Sequence, residues 1–146
     1  MTIRPLFPDE GELLVDIWLR SVRATHAFLT EDDIAQLLPP TRAYLTSDEP
    51  ELWVLVDAGT VVGFMGLDGP KLDALFLAPE VRRRGGGRQL VEWAAALKGQ
   101  LTVDVNEQNP EAVRFYQACG FIQEGRSEVD DAGRPFPLLH LRRPGC

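Results

Sequence analysis

Arginines and glycines are concentrated in one short stretch of the chain, Arg82 to Arg88, which reads Arg-Arg-Arg-Gly-Gly-Gly-Arg. A helix that begins here would present free backbone N–H groups and the positive end of its dipole. Glycines let a phosphate approach that backbone closely, and arginine side chains add charge that suits a diphosphate. The stretch is therefore predicted to bind an anion, although a flexible turn before a helix would also account for the three glycines.

This glycine-rich stretch fits neither of two common nucleotide motifs. A P-loop would continue with Gly-Lys and then Ser or Thr, and that sequence does not follow. A Gly-x-Gly-x-x-Gly fingerprint that began at Gly85 would need a glycine where Leu90 stands. The phosphate ligand must therefore be inferred from the surrounding elements.

A predicted strand–helix–strand unit positions the glycine-rich stretch. Leu72 to Leu77 and Leu101 to Val105 are apolar runs of strand length, and apolar residues recur at helical spacing between Gly87 and Gly99. Such a unit makes a parallel pair of strands with a right-handed crossover. The stretch then lies at the carboxyl end of the first strand, where sheets of this kind bind ligands.

The remaining elements alternate in type and predict a mixed α/β fold. Asp9 is expected to cap a first helix that runs to about Ala24. Thr30 is expected to open a second helix, with Asp33 completing a capping box and Pro39-Pro40 interrupting it. The other predicted elements are the strands Thr2 to Arg4, Leu52 to Val56, Val61 to Leu67, Phe121 to Val129 and Pro137 to Leu141, and a helix from Glu111 to Ala118 that Pro110 opens.

Composition excludes several classes of function. The chain has 146 residues, of which 45% are hydrophobic, and its formal net charge is -7. That charge argues against nucleic acid or an anionic membrane as the main partner and is compatible with a cationic acceptor such as an amine, although a role in solubility explains it equally well. Cys119 and Cys146 make neither a disulfide framework nor a metal motif, so no metal is expected. The polar start and the lack of a long apolar run favour a cytoplasmic protein.

Two blocks of the sequence resemble the signatures of the GCN5-related N-acetyltransferases (GNAT). The acetyl-CoA signature of that family is Arg/Gln-x-x-Gly-x-Gly/Ala, and Arg82-x-x-Gly85-x-Gly87 matches it between a strand and a helix. The second block is Asn-x-x-Ala-x-x-Phe/Leu-Tyr followed by Gly-Phe, and Asn109 to Tyr116 with Gly120-Phe121 matches it. Both blocks stand in the family's order and separation, and the family's order of elements covers the whole chain.

A more specific resemblance is to a small bacterial subgroup that shares the segments Arg20 to His26, Leu72 to Phe76 and Gly125 to Asp131. One enterobacterial member resembles a protein-lysine acetyltransferase. The resemblance implies one GNAT domain over residues 1–146, with a mixed sheet of about six or seven strands, a splayed parallel pair and about four flanking helices. It also implies direct transfer of an acetyl group from acetyl-CoA to a primary amine, with protein lysine ahead of small molecules.

The same resemblance implies which residues hold the coenzyme, which in the family lies in the splay between the parallel strands. Leu75, Phe76 and Leu77 would line the pantetheine arm, and the backbone of Leu75 and Leu77 would pair with it like an added strand. Asn109 would bond either the coenzyme or the local backbone. The pyrophosphate would be held by the glycine-rich stretch: Arg82, Arg83, Arg84, Gly85, Gly86, Gly87 and Arg88.

Catalysis by attack of a neutral amine needs a base, a carbonyl-polarising donor and an acid. By resemblance, Tyr116 is the acid that protonates the departing thiolate, with a core aromatic as the alternative role. A backbone N–H near Leu77 is the expected donor. Two carboxylates compete for the role of base, Asp104 and Asp73, and either could act through water. Some family members carry a glutamate that resembles a base at the position of Asp104, whereas Asp73 shares by pleat alternation the strand face of Lys71, where other members carry a glutamate base. The alternative for each aspartate is a solvated residue on a strand face.

His26, at the end of the first helix, is a candidate substrate ligand or base, with a structural role as the alternative. Two other functions fit the same fold: a non-catalytic acyl-CoA-binding sensor, and an acetyltransferase for a small-molecule amine or a protein N-terminus. A nucleotide-binding protein that uses the glycine-rich stretch for another phosphate is a third alternative. A homodimer through the final strands, common in the family, is an expected assembly.

Overall fold

The computed structural model describes residues 1–145, so Cys146 and the predicted absence of its disulfide lie outside the described residues. A short 3-10 turn spans Pro79–Val81. The strands and helices of the described chain are β1 (Thr2–Pro5), α1 (Gly11–Thr25), α2 (Glu31–Leu45), β2 (Glu51–Asp57), β3 (Thr60–Asp68), β4 (Lys71–Leu77), α3 (Gly86–Lys98), β5 (Leu101–Asn106), α4 (Pro110–Ala118), β6 (Ile122–Ser127) and β7 (Leu138–Arg143).

The seven strands of residues 1–145 form one mixed sheet in the order β1-β2-β3-β4-β5-β7-β6. The sheet separates two apolar cores. On one face α1 and α2 bury residues such as Leu14 against Phe64 and its neighbours. On the other face α3 and α4 cover a second core, which contains Leu90 and Val103. The α/β architecture predicted from the sequence is confirmed, including the number of strands and flanking helices.

A gap between β4 and β5 is the feature of the sheet that positions the site. These two strands are parallel, but they pair only at their starts, through Lys71 with Thr102 and Leu72 with Val103. On its other side β4 stays paired with β3 as far as Leu77, and β5 pairs with β7 along its whole length. The predicted splayed parallel pair is therefore present, and its opening begins at Asp73.

A β-bulge in β4 lies where the gap begins. Gly66 of β3 is opposite Ala74, whereas the next residue of β3 is opposite Leu72, so Asp73 is the extra residue. The extra residue reverses the alternation of the strand, because Leu72 faces the α3 core and Ala74 faces the α1 core. The bulge thus aims the Asp73 side chain out of the regular pleat.

Two predictions about the first two helices are wrong. Asp9 does not cap α1; Glu10 precedes the helix, and its carboxylate accepts hydrogen bonds from Arg4 and from the Phe7 N–H instead of from the helix. Pro39-Pro40 does not interrupt α2, which is continuous. Both prolines lie on the exposed face, so the carbonyls that lose a helical partner can bind water.

Other local predictions hold within a few residues. The Thr30 capping box is confirmed, since Thr30 and Asp33 exchange side-chain to backbone hydrogen bonds of 3.0 and 2.9 Å. The last two strands end at different residues from those predicted, because β6 stops at Ser127 and β7 continues to Arg143. Among residues 1–145, no helix has the length and apolar character needed to cross a membrane.

Candidate active site

A cavity of about 450 Å³ opens at the gap between β4 and β5. The residues predicted from the sequence that line it are His26, Asp73, Leu75, Phe76, Leu77, Arg82, Arg83, Gly85, Gly86, Gly87, Arg88, Asp104, Asn109 and Tyr116. Arg84 does not line it, because its side chain turns away and lies 3.1 Å from the Asp57 carboxylate. The fold therefore brings the predicted site residues together, apart from Arg84.

The glycine-rich loop has a backbone that favours anion binding. Arg83 and Gly85 have φ angles of 64° and 85°, and α3 begins at the next residue, Gly86. Left-handed residues alternating with ordinary ones turn successive N–H groups inward to form an anion-binding concavity. A non-glycine residue such as Arg83 in this conformation is strained, and strain of this kind is concentrated at functional sites.

Close packing also requires glycine at the first turn of α3. A Cβ atom placed on Gly86 would lie 2.6 Å from Leu55 Cδ2, which is inside van der Waals contact. The helix start is therefore held directly against β2. This close contact fixes the position of the loop relative to the sheet.

The arginines of the loop differ in what they contact. Arg82 pairs with Glu111 at the start of α4, and Arg88 donates to the Ala118 carbonyl at its end, 2.8 Å away. Arg83 is 83% exposed and lies 3.9 Å from the Glu111 carboxylate. Two arginines thus tie the loop to α4, while Arg83 keeps the freedom to reach a ligand.

The free edge of β4 faces the gap. The Ala78 N–H donates to the Val62 carbonyl of β3 over 2.8 Å, so the backbone of Ala78 points toward β3. Successive residues of a strand point their N–H groups to opposite sides. The N–H groups of Leu77 and Leu75 therefore point into the gap between β4 and β5, as an added strand would require.

Tyr116 belongs both to the core and to the cavity wall. Its ring is buried, with centroids 5.0 Å from Phe115 and 5.3 Å from Phe121. The same residue lines the cavity. Burial, with a smaller contribution from Cys119, raises the pKa of Tyr116, so its hydroxyl keeps its proton near neutral pH. The two roles left open for this residue are therefore compatible.

Asn109 bonds the local backbone. It is the N-cap of α4, and its Oδ1 accepts a hydrogen bond from the Ala112 N–H over 3.2 Å. That bond directs the amide nitrogen toward His26, whose Nε2 lies 3.5 Å away. Of the two roles predicted for Asn109, a bond to the coenzyme or to the local backbone, its side-chain oxygen fulfils the bond to the backbone.

His26 forms part of the cavity wall above β4. The Thr25 hydroxyl donates to the Ser21 carbonyl, so its oxygen must accept from His26 Nδ1, 2.7 Å away. The Nε2 atom then carries the lone pair. Burial lowers the pKa of His26, which favours the neutral ring. The geometry leaves both roles predicted for His26 open.

Asp104 is held in a chain of polar side chains across four strands. Its Oδ1 accepts from His140 Nδ1 at 2.7 Å, and Ser127 Oγ lies 2.6 Å from His140 Nε2. Lys71 Nζ lies 3.2 Å from Asp104 Oδ2. Burial raises the pKa of Asp104, but the bonds from His140 and Lys71 outweigh it and hold the pKa below its ordinary value.

Asp73 has the opposite electrostatic environment. Burial raises the pKa of Asp73, and the attraction of Lys71, whose Nζ lies 4.0 Å from Asp73 Oδ1, does not compensate. Because the two aspartates line one cavity, they form a pair with separated pKa values, an arrangement that allows different roles. Sequence reasoning missed Ser127 and His140, and it placed Lys71 beside Asp73 but not beside Asp104, because only the strand register brings these side chains to Asp104.

Comparison with known proteins agrees with this geometry. The family model of the acetyltransferase (GNAT) domain matches residues 48–123. The peptidyl-lysine N-acetyltransferase YjaB of Escherichia coli is 49% identical over 147 residues, which cover 100% of this chain and 99% of that protein. Its apo-form solution structure has a TM-score of 0.91 and covers 99% of this chain and 98% of that chain.

More distant proteins share the same fold. The peptidyl-lysine N-acetyltransferase YiaC of Escherichia coli is 32% identical over 82% of this chain and 82% of that protein. The PaiA N-acetyltransferase of Thermoplasma acidophilum, solved in complex with coenzyme A, is 19% identical with a TM-score of 0.79 and covers 99% of each chain. The matched family model and the full-length relative together show that the chain belongs to the GNAT family of acetyltransferases.

Proposed function

We propose that this acetyltransferase moves the acetyl group of acetyl-CoA to a lysine side chain of a protein, through a single domain that spans residues 1–146. The observation that carries the proposal is the meeting of three groups in one cavity: the glycine-rich loop, Tyr116 and the two aspartates of β4 and β5. The choice of protein lysine is supported by the activity named for YjaB and YiaC, relatives that align over most of this chain.

The coenzyme fits the donors that the gap presents. The left-handed loop before α3 offers inward N–H groups and a helix dipole to a diphosphate. The edge of β4 offers the backbone of Leu75 and Leu77 to the amides of an extended arm. Bound there, acetyl-CoA supplies an acetyl thioester, and the N–H of Leu77 is the donor that would polarise its carbonyl.

The two aspartates would divide the handling of the amine. Asp104 stays ionised because His140 and Lys71 stabilise its charge, so it suits binding of the acceptor ammonium. Asp73 has a raised pKa, which makes it the better proton acceptor of the two. Of the two bases that the sequence left open, we therefore assign the role to Asp73, acting directly or through water.

Tyr116 would act as the general acid. Its raised pKa keeps the hydroxyl protonated, so a proton is available when negative charge develops on the departing sulfur. Its aromatic packing holds the ring in one position, which pre-organises the proton transfer. His26 and Phe76 form part of the cavity wall, with ring centroids 6.3 Å apart, and would contact the acceptor or the acetyl group.

The test compares the chain's two tyrosines, Tyr44 and Tyr116. Tyr116→Phe should lower kcat about 100-fold and leave the calorimetric Kd for acetyl-CoA unchanged, because it removes only a proton donor. Tyr44→Phe, which lies outside the cavity, is the matched control and should keep full turnover. An unchanged kcat in Tyr116→Phe would show that Tyr116 is not the general acid.

A screen of acetyl acceptors tests the substrate class. Lysine peptides, peptides with a free N-terminus, amino acids and polyamines are offered with acetyl-CoA, and transfer to the lysine peptides should be the fastest. A preference for polyamines or N-termini would overturn the lysine assignment. Tight binding of acetyl-CoA without transfer to any amine would favour the sensor function instead.

A further inference from the structure

Lys71 places a primary amine between the two aspartates of the site. It is one of only two lysines in the chain. The other thirteen of the fifteen Lys and Arg residues are arginines. Its Nζ lies 3.2 Å from Asp104 Oδ2 and 4.0 Å from Asp73 Oδ1. The amine of Lys71 therefore occupies the place that the proposed function assigns to the amine of an acceptor.

The surroundings of Lys71 connect it to the acetyl cavity. A second cavity, of about 330 Å³, is lined by Lys71 and by the loop between β6 and β7. This cavity and the 450 Å³ cavity share three lining residues, Leu72, Asp73 and Asp104. Lys71 thus lines the second cavity beside the residues that also line the 450 Å³ cavity. Its side chain is 40% exposed, so it is free to change rotamer.

The charges around Lys71 determine what its reaction requires. Burial lowers the pKa of Lys71, but the hydrogen bond and charge of Asp104, with smaller contributions from Asp73 and Asp131, raise it more. The side chain is therefore an ammonium at rest and needs a proton acceptor before it can react. Asp73, with its raised pKa, lies next to it.

We propose that Lys71 is a self-acetylation site: its Nζ receives the acetyl group of the coenzyme bound to the same chain. This inference rests on the proposed function. The ammonium first loses a proton to Asp73, and the nitrogen lone pair then forms a C–N bond with the thioester carbonyl carbon. The C–S bond breaks, the sulfur leaves with the electron pair, and it takes the proton of Tyr116. The second amine proton passes through water and restores the tyrosine.

Lys98 is a matched internal control. Its Nζ also forms an ion pair, 2.8 Å from Glu51 Oε1, and its side chain is 24% exposed. It lies at the end of α3 and lines neither of the two cavities. Spontaneous acetylation by a thioester would reach both lysines, whereas the proposed reaction reaches Lys71 alone.

The experiment incubates the full chain with isotope-labelled acetyl-CoA and follows acetylation of each lysine by peptide mass spectrometry. Lys71 should gain one acetyl group at least about tenfold faster than Lys98, because the bound acetyl group is held near it. The fraction modified per unit time should not depend on protein concentration. Tyr116→Phe should slow the modification, Lys98→Arg should not, and Lys71→Arg, which keeps the positive charge, should abolish it.

A second readout does not depend on transfer. With lysine labelled by 15N at the side chain, the protein gives two Nζ signals, and coenzyme A should shift the Lys71 signal and leave that of Lys98 in place. Equal acetylation of both lysines, or an unmodified Lys71, would overturn the inference. If lysine peptides are acetylated while Lys71 is not, the proposed function survives and the self-acetylation does not; if coenzyme A binds but no amine is acetylated, both fail.

Discussion

His140 lies directly opposite Asp104 in the β5–β7 pair, and its Nδ1 is 2.7 Å from Asp104 Oδ1. This contact is one of the two that keep the pKa of Asp104 below its ordinary value although the carboxyl is partly buried. The second comes from Lys71, on the opposite side of the carboxylate. Asp104 is therefore a fixed negative charge in the wall of the cavity.

Replacing His140 should weaken that charge. In His140→Leu the pKa of Asp104 should rise, because burial remains and one stabilising bond is lost. A carboxyl with a depressed pKa stabilises the fold above its unfolded pKa of about 3.9 and loses that contribution as the pH falls through its folded pKa. The variant should therefore lose less stability than the parent between neutral pH and strongly acidic pH.

The measurement is an NMR titration of the Asp104 carboxyl, supported by urea unfolding at several pH values. Arg142→Gln on the same strand is a suitable control, since its side chain pairs with Glu124 and not with Asp104. An unchanged pKa of Asp104 in His140→Leu would show that Lys71 alone stabilises the carboxylate.

The pH dependence of catalysis should identify the base. Only the ionised form of Asp73 accepts a proton, so kcat/KM for a lysine peptide should rise with pH through the pKa of Asp73. Burial holds that pKa above its ordinary value; Lys71 lowers it, and three neighbouring carboxylates, Asp68, Asp104 and Asp131, raise it. On the acidic limb of the profile, kcat/KM should therefore rise at a higher pH than an ordinary aspartate would give.

Asp73→Asn should remove this limb and lower kcat/KM about 100-fold. Asp104→Asn, the control, should raise KM for the cationic acceptor and keep the limb. If the limb disappears in Asp104→Asn and remains in Asp73→Asn, the two assignments must be exchanged.

Tyr44 offers a prediction about stability. Its hydroxyl is buried and has no hydrogen-bond partner among residues 1–145. Burial, with smaller contributions from Asp73 and Asp68, raises the pKa of Tyr44 to about 12. Because an unpaired buried hydroxyl costs free energy, Tyr44→Phe should raise the free energy of unfolding by about 1 kcal/mol or leave it unchanged. Urea unfolding measures the difference, and a loss above about 1 kcal/mol would mean that the hydroxyl has a partner such as bound water.

Gly86→Ala tests the start of α3. The new Cβ would lie 2.6 Å from Leu55 Cδ2, so the buried Leu55 side chain, the helix start or β2 must shift, at a cost of about 1–3 kcal/mol. The Kd for acetyl-CoA should rise as well, because the loop backbone moves with the helix. Calorimetry and urea unfolding give the two values, and Gly125→Ala, whose Cβ would make only an ordinary contact at 3.4 Å, is the control. Full affinity of Gly86→Ala for acetyl-CoA would contradict the role of the loop in coenzyme binding.

The fold was predictable from the sequence where local patterns determine it. The glycine-rich loop and the Asn109 block lie at the ends of strands whose apolar runs are clear, so their places in the sheet follow from the crossover rule. The failure at Pro39-Pro40 has a different origin: the sequence shows the lost hydrogen bonds, but not that the freed carbonyls face water. The helix continues because these carbonyls are exposed in the folded chain.

The site was predictable only in part. Motifs supplied the loop, Asn109 and Tyr116, but the electrostatic difference between Asp73 and Asp104 depends on long-range pairing. His140 reaches Asp104 because β7 inserts between β5 and β6, and the order of strands in a sheet is not written in any local pattern. The bulge at Asp73 is likewise a product of the register between β3 and β4.

The opening between β4 and β5 also makes the stability of the folded chain depend on whether a ligand occupies the gap. Beyond Leu72 the two halves of the sheet are no longer joined by backbone hydrogen bonds, so a ligand that spans them would act as a missing strand. A ligand that binds only the folded form adds to its stability in proportion to the logarithm of its concentration. Under the proposed function, a fall in the cellular supply of acetyl-CoA would slow the reaction and also leave this seam exposed to fraying and proteolysis.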